Sequence, residues 1–264
     1  MIIPPLFKSI FVFCVLINHL FTDFEGFQTN PANGHPEFRF ISEKQEIMGG
    51  FSQARFVIQQ MGGEFTQDPE LSAYVAYVGH RIAAVSDRPY LPYDFVIVND
   101  SKPNAMCLPG GIILISHRML LELKSEAELA AILAHEIGHA SARHCAKGIE
   151  RRWIFDLIGD PFALIPRWFG LGMTRNEEME ADYLGMEYMA RAGYDVRAVI
   201  SIADRRRHLV KKSLLPLELF KSHPSHDTRL QANLRHAEKF PLSGDREEET
   251  YQTMVYWYWV IRQV

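Results

Sequence analysis

The stretch Ser125-Glu-Ala-Glu-Leu-Ala-Ala-Ile-Leu-Ala-His135-Glu136-Ile-Gly-His139 decides both the fold and the chemistry. Ser125 followed three residues later by Glu128 is a capping-box signal for the start of a helix. Leu129 to Ala134 is apolar nearly all round, as in a helix buried on most sides. His135 and His139 lie inside that helix four residues apart, so their Cβ atoms project to one side about 5–6 Å apart and both rings can reach one metal ion. Glu136 falls beside them. In such a helix two imidazoles hold zinc, further coordination sites stay open to water, and the carboxylate accepts that water's proton. Buried imidazole and carboxylate groups need partners, which a metal and its water provide, so a chance match is disfavoured.

A catalytic zinc site takes a third protein ligand and keeps an open position. Asn176-Glu177-Glu178-Met179-Glu180-Ala181-Asp182 opens the next long helix. Glu178 and Asp182 are four apart, so one can coordinate while the other bonds the back of a ligand histidine and fixes its tautomer. A helix dipole favours carboxylates in a first turn generally, but it does not account for that pairing. Glu177 and Glu180 are read as solvated, and His144, His208 and His226 receive no role.

Working outward, Ser42 and Gln45 form another capping signal, for a helix that runs to about Met61 and is stopped by Gly62-Gly63. Asp68-Pro69 starts the next helix, whose Leu71, Val75, Val78 and Ile82 repeat at helical spacing to about Ser86. Phe95–Val98 and Ile112–Ile115 are β-branched runs that read as two strands of a small sheet. Further helices are expected at 176–191, 196–211, 227–239 and 246–262. The last is rich in Tyr and Trp and reads as a packing stripe. Within 153–170, bulky apolar residues are broken by Asp156, Asp160, Pro161, Pro166 and Arg167, which argue against a spanning helix; a flap, a membrane-surface patch and core packing all remain open.

The chain has 264 residues, enough for one domain with a substantial core, and a formal net charge of −4. It lacks the basic stripe that nucleic acid requires. Three cysteines, Cys14, Cys107 and Cys145, are too few for a disulfide framework, though a Cys107–Cys145 bridge stays open. Lys8 and the apolar run Ile10–Leu20 have the form of a secretory leader and are short for a spanning helix of about 20 residues. Residues 1–22 are therefore expected to be a signal peptide or signal anchor, 23–40 a linker rich in Pro, Gly and Asn, and 41–264 the folded domain.

At this point the motifs join up. His135-Glu-Ile-Gly-His139, Arg175-Asn-Glu-Glu-Met-Glu-Ala-Asp182 and His223-Pro-Ser-His-Asp-Thr-Arg229, with Asn104-Ala105 and Leu108-Pro-Gly-Gly111, resemble the motif series of the zinc metallopeptidase family of the CaaX prenyl protease, HtpX, BepA and OMA type. The resemblance implies an α+β, mainly α, zincin-like (gluzincin) domain with a small sheet beside the metal-binding helix. It implies one Zn2+ ion, with Glu178 as third ligand beside His135 and His139, Glu136 as general base and Asp182 behind a ligand. His223 and Arg229 would stand near the metal. It also implies that an edge strand around Gly110, Gly111 and Ile112 binds an extended polypeptide substrate by strand addition.

With only the leader as a clear apolar segment, the chain looks most like the exported, single-domain branch of that family. The expected activity is a zinc metalloendopeptidase acting on exported or membrane-associated, including misfolded, proteins. Its expected place is the periplasm or an equivalent extracytoplasmic space, free or membrane-anchored, with the membrane surface as a further partner. A peptide deformylase-like hydrolase would need Cys107 as third ligand, and the residues before it do not match. A non-catalytic, chaperone-like binding module is the third reading, disfavoured because every acting residue is present.

Overall fold

The computed structural model describes residues 25–159, 173–212, 227–241 and 243–261. The leader at 1–22, most of the apolar stretch 153–170 and His223 lie outside the described residues or their described side chains. A hairpin of β1 (Gly26–Thr29) and β2 (Pro36–Arg39) leads into α1 (Glu43–Gln60) and α2 (Pro69–Ala83). Strands β3 (Asp94–Val98), β4 (Ala105–Leu108) and β5 (Ile112–Ser116) form a small sheet, with a 3-10 turn at Pro109–Gly111. There follow α3 (His117–Glu122), α4 (Glu126–Ser141), α5 (His144–Gly159), α6 (Arg175–Arg191), α7 (Ala198–Lys212), α8 (Asp227–Ala237) and α9 (Glu248–Ile261). The fold is α+β and mainly helical. Among the described residues no helix is long and apolar enough to cross a membrane.

The helix starts follow from local hydrogen bonding. Ser42 and Gln45 form a reciprocal capping box, and Asp68 accepts from Leu71 N at 3.0 Å with Pro69 in the first turn. At α4 Ser125 accepts from Glu128 N at 3.2 Å, but the Glu128 carboxylate turns to Lys124 N and Arg205 instead of closing the box. Thr174 and Glu177 close a further box at α6, where Thr174 N donates to Glu177 at 2.8 Å. Each such cap is worth about 1 kcal/mol and fixes the residue at which a helix begins, hence which side chains share a face.

The sheet order is β3-β5-β4, with β5 parallel to β3 and antiparallel to β4. Ile113 and Ile115 pack into the main core with Ile97, Leu129 and Leu133, whereas Ile112 and Leu114 pack on the other face against Val57 of α1 and Met61 just after it. Burial on both faces is why this strand reads as a continuous apolar run. The topology corrects the expected edge strand: Ile112 belongs to the central strand. Gly110 and Gly111 are buried in the turn before it. Their small size serves packing, since a Cβ on Gly110 would stand 2.6 Å from Ile47 Cα and one on Gly50 1.8 Å from Pro109 O. The true edge beside α4 is β4, missed because Ala-Met-Cys-Leu has no β-branched residue.

Residues 26–39, expected as linker, form the β1–β2 hairpin. It is anchored by polar contacts, not by an apolar pattern. Buried Asn30 donates to Ala142 O at 3.1 Å and to Glu37 at 2.7 Å, and Arg143 donates to Glu37 at 3.0 Å and to Ile41 O at 2.8 Å. These bonds tie the hairpin to the end of α4. Arg88 and Arg143, both fully buried, share the Glu46 carboxylate of α1. Cys107 and Cys145 are free thiols, and Cys145 Sγ donates to Cys107 O at 3.1 Å.

Candidate metal centre

α4 and α6 pack directly against each other because glycines lie at their crossing. A Cβ on Gly138 would stand 2.8 Å from Ala181 O, and one on Gly185 3.1 Å from His135 N. Such backbone proximity brings the first turns of α6 alongside the middle of α4, so Glu178 and Asp182 meet the two histidines.

His135 Nε2 and His139 Nε2 stand 3.1 Å apart. Glu178 Oε2 lies 3.5 Å from His135 Nε2 and Glu178 Oε1 3.5 Å from His139 Nε2. Donor atoms held about 2.0–2.2 Å from one tetrahedral ion are separated by about 3.3–3.6 Å, and each histidine approaches its own Glu178 oxygen at such a distance, with the two histidine nitrogens slightly closer. These are the three residues that could hold a metal among the described ones. Glu178 and His139 are buried and His135 is part-exposed, so the site has one open side. The buried Glu136 follows His135 on α4. Cys107 lies outside the donor set, with its thiol bonded to Leu108 O, which removes the support for a cysteine-ligated centre.

Behind His135, Asp182 Oδ1 is 3.0 Å from Nδ1. Arg229 of α8 forks across both carboxylates: it donates to Glu178 at 2.7 Å and to both Asp182 oxygens, and Asn233 one turn later donates to Asp182 at 2.8 Å. Burial alone would raise the Asp182 carboxyl, but Arg229 and His135 outweigh it and hold the group well below the usual carboxylate range. Burial would lower His135, yet the bonds to Asp182 and Glu178 push its imidazolium up to about 9. An anionic surrounding that favours a proton there also favours a dication.

Three residues run against the sequence reading. Glu180, expected in solvent, accepts from Asn33 at 2.6 Å and bonds His144 Nε2 at 3.0 Å, and its bond to His144 lowers its carboxyl against the effect of burial. His144, given no role, is fully buried with Nδ1 2.8 Å from His139 Nδ1. Glu177 is also buried, paired with Arg151 at 2.5 Å. The i, i+4 rule finds partners on one helix, whereas His144 reaches the site through a turn, so the periodicity carries no sign of it.

Comparison with known proteins agrees with this geometry. The chain is 36% identical over 136 residues to the mitochondrial metalloendopeptidase OMA1 of Arabidopsis thaliana, covering 47% of this chain and 27% of that protein. It is 29% identical over 203 residues to the beta-barrel assembly-enhancing protease of Yersinia pestis (66% of this chain, 41% of that protein). It is 25% identical over 248 residues to the protease of the same name from Escherichia coli K12 (84% and 50%). The chain thus spans half or less of these relatives' length. The family model of Peptidase family M48 matches residues 69–164 and 150–237, a span that runs from α2 through the two metal-site helices to the end of α8. The chain therefore belongs to Peptidase family M48, a family of metal-dependent peptidases.

Proposed function

We propose that this chain is a zinc-dependent metalloendopeptidase that cleaves polypeptides of an extracytoplasmic or membrane-bounded compartment. The observation that carries the reading is the convergence of His135 Nε2 and His139 Nε2, 3.1 Å apart, on the Glu178 carboxylate, whose two oxygens stand 3.5 Å from one nitrogen each. Two neutral nitrogens and one carboxylate suit zinc, whose catalytic sites take three such ligands. Bound there, zinc would supply a Lewis acid that polarises the scissile carbonyl and acidifies water toward a pKa of about 7.

The chain's own residues would do the rest. Glu136 takes a proton from the attacking water and passes it to the leaving amine. Asp182 accepts from His135 Nδ1, so that Nε2 presents its lone pair to the site. Arg229 offsets the charge of Glu178 and Asp182 and holds both in place. Strand β4, the sheet edge beside α4, would receive the substrate in extended form through backbone hydrogen bonds, with little sequence selectivity. The relatives' names, one mitochondrial and two tied to β-barrel assembly, support substrates at or near a membrane.

The test is metal analysis of purified protein beside casein hydrolysis. Wild type is expected to hold one zinc and to cleave casein in a chelator-sensitive way, and Glu178→Gln to lose both. Stoichiometric zinc in wild type without hydrolysis of any denatured substrate would favour a binding module instead.

A further inference from the structure

The two ligand histidines are backed in different ways. His135 has a carboxylate directly behind it, but His139 has another imidazole. The difference originates in the turn that ends α4: Arg143 takes a φ of 61°, and the next residue, His144, opens α5 with its ring folded back against His139. Arg143 keeps that costly conformation because its buried guanidinium is bonded to Glu37, Glu46 and Ile41 O.

The direction of the hydrogen bonds follows from the groups present. Glu180, at the far end, is an acceptor only when ionised, so His144 Nε2 donates to it across 3.0 Å. A neutral imidazole that donates through Nε2 has its lone pair on Nδ1. With His144 in that neutral form, His139 Nδ1 donates across the 2.8 Å contact. That leaves His139 Nε2 without hydrogen, and this is the atom that faces His135 and Glu178. Asn33 donates to the other Glu180 oxygen at 2.6 Å and extends the chain to the N-terminal hairpin.

We propose that His144 is a positioning residue of the metal centre, which bridges Glu180 to His139 and fixes His139 in the tautomer that can ligate through Nε2. Glu180 orients His144, and Asn33 orients Glu180. The proposal rests on the metallopeptidase reading above and adds to it a role for residues outside the ligand set. It also gives the hairpin a function, since its loop completes the support of a ligand on a distant helix.

The test uses His144→Phe, which keeps a buried ring without nitrogen, His144→Asn, whose side-chain oxygen can again accept from His139, and Glu180→Leu. Zinc affinity is measured by competition with a chelator, and ring tautomers by long-range proton–nitrogen NMR of the zinc-loaded protein. In wild type His139 should carry its proton on Nδ1 and His144 on Nε2. His144→Phe should bind zinc about 10–100-fold more weakly, and His144→Asn should recover part of that loss. If His144→Phe fails to fold, Glu180→Leu carries the test, because Glu180 is 29% exposed and tolerates replacement; about tenfold weaker binding is expected. Wild-type affinity in the variants, or a His144 protonated on Nδ1, overturns the proposal while leaving the metal centre intact. If wild type binds no zinc through His135 and His139, the metallopeptidase reading itself fails.

Discussion

Gly138 on α4 and Ala181 on α6 touch backbone to backbone: a Cβ on Gly138 would stand 2.8 Å from Ala181 O and 3.1 Å from Ala181 Cα. This contact sets the distance between the helix that carries both histidines and the helix that carries Glu178 and Asp182. A residue between the two histidines thus acts through packing, not chemistry.

Gly138→Ala should therefore destabilise the protein and weaken its metal site. An alanine gains about 0.5–1 kcal/mol over glycine within a helix, but overpacking against a fixed backbone costs about 1–3 kcal/mol. The clash should win. Thermal unfolding and zinc titration of the variant check this, and a raised Tm with unchanged zinc affinity would show that the helices have room to separate. Gly185→Ala, whose Cβ would meet His135 N at 3.1 Å, should show the same effect more weakly.

Removing Arg229 leaves the Glu178 and Asp182 carboxylates side by side without their cation. Breaking one partner of a buried ion pair costs about 3–5 kcal/mol. Arg229→Gln should thus unfold more easily than wild type when metal-free, and the gap should narrow when zinc is added, because the dication replaces part of the missing charge. Urea unfolding with and without zinc measures both. An equal gap in the two conditions would mean that Arg229 is structural and independent of the site.

Asp182→Asn keeps the shape but supplies a weaker acceptor for His135, and its zinc affinity should fall about 10–100-fold. Isothermal titration or chelator competition reads this directly. Loss of all binding would instead assign Asp182 a ligand role.

The hairpin should detach in acid. Burial would raise the Glu37 carboxyl, but Lys147, Asn30 and Arg143 outweigh it and bring it from 4.5 down to about 2. A depressed carboxylate stabilises the fold fully above its unfolded pKa and loses that contribution as pH falls through its folded value. The difference in unfolding free energy between wild type and Glu37→Gln should therefore be constant above about pH 5 and shrink as pH falls from 4.5 toward 2. A difference that is flat across that interval would contradict the assignment.

The residues brought together at the centre were legible because each pair obeys one short-range rule. His135 with His139, and Glu178 with Asp182, are four apart on helices with clear caps, so each pair shares a face. What escaped the sequence depends on tertiary contact. Strand β4 lacks β-branched residues, and overlooking it turned the central strand β5 into an expected edge. The hairpin is held by bonds from its Asn30 and Glu37 to the end of α4, while its own segment, rich in Pro, Gly and Asn, looks like a linker. His144 reaches His139 only through the left-handed Arg143 turn, which has no periodic signature.

The central claim is most directly tested by casein hydrolysis with the Glu136→Gln variant, its zinc content determined on the same sample. The amide keeps the size of the side chain and removes its basicity, so the variant should hold one zinc per chain while its cleavage rate falls by about 100-fold or more. Zinc-loaded Glu136→Gln that cleaves casein at the wild-type rate would contradict the account.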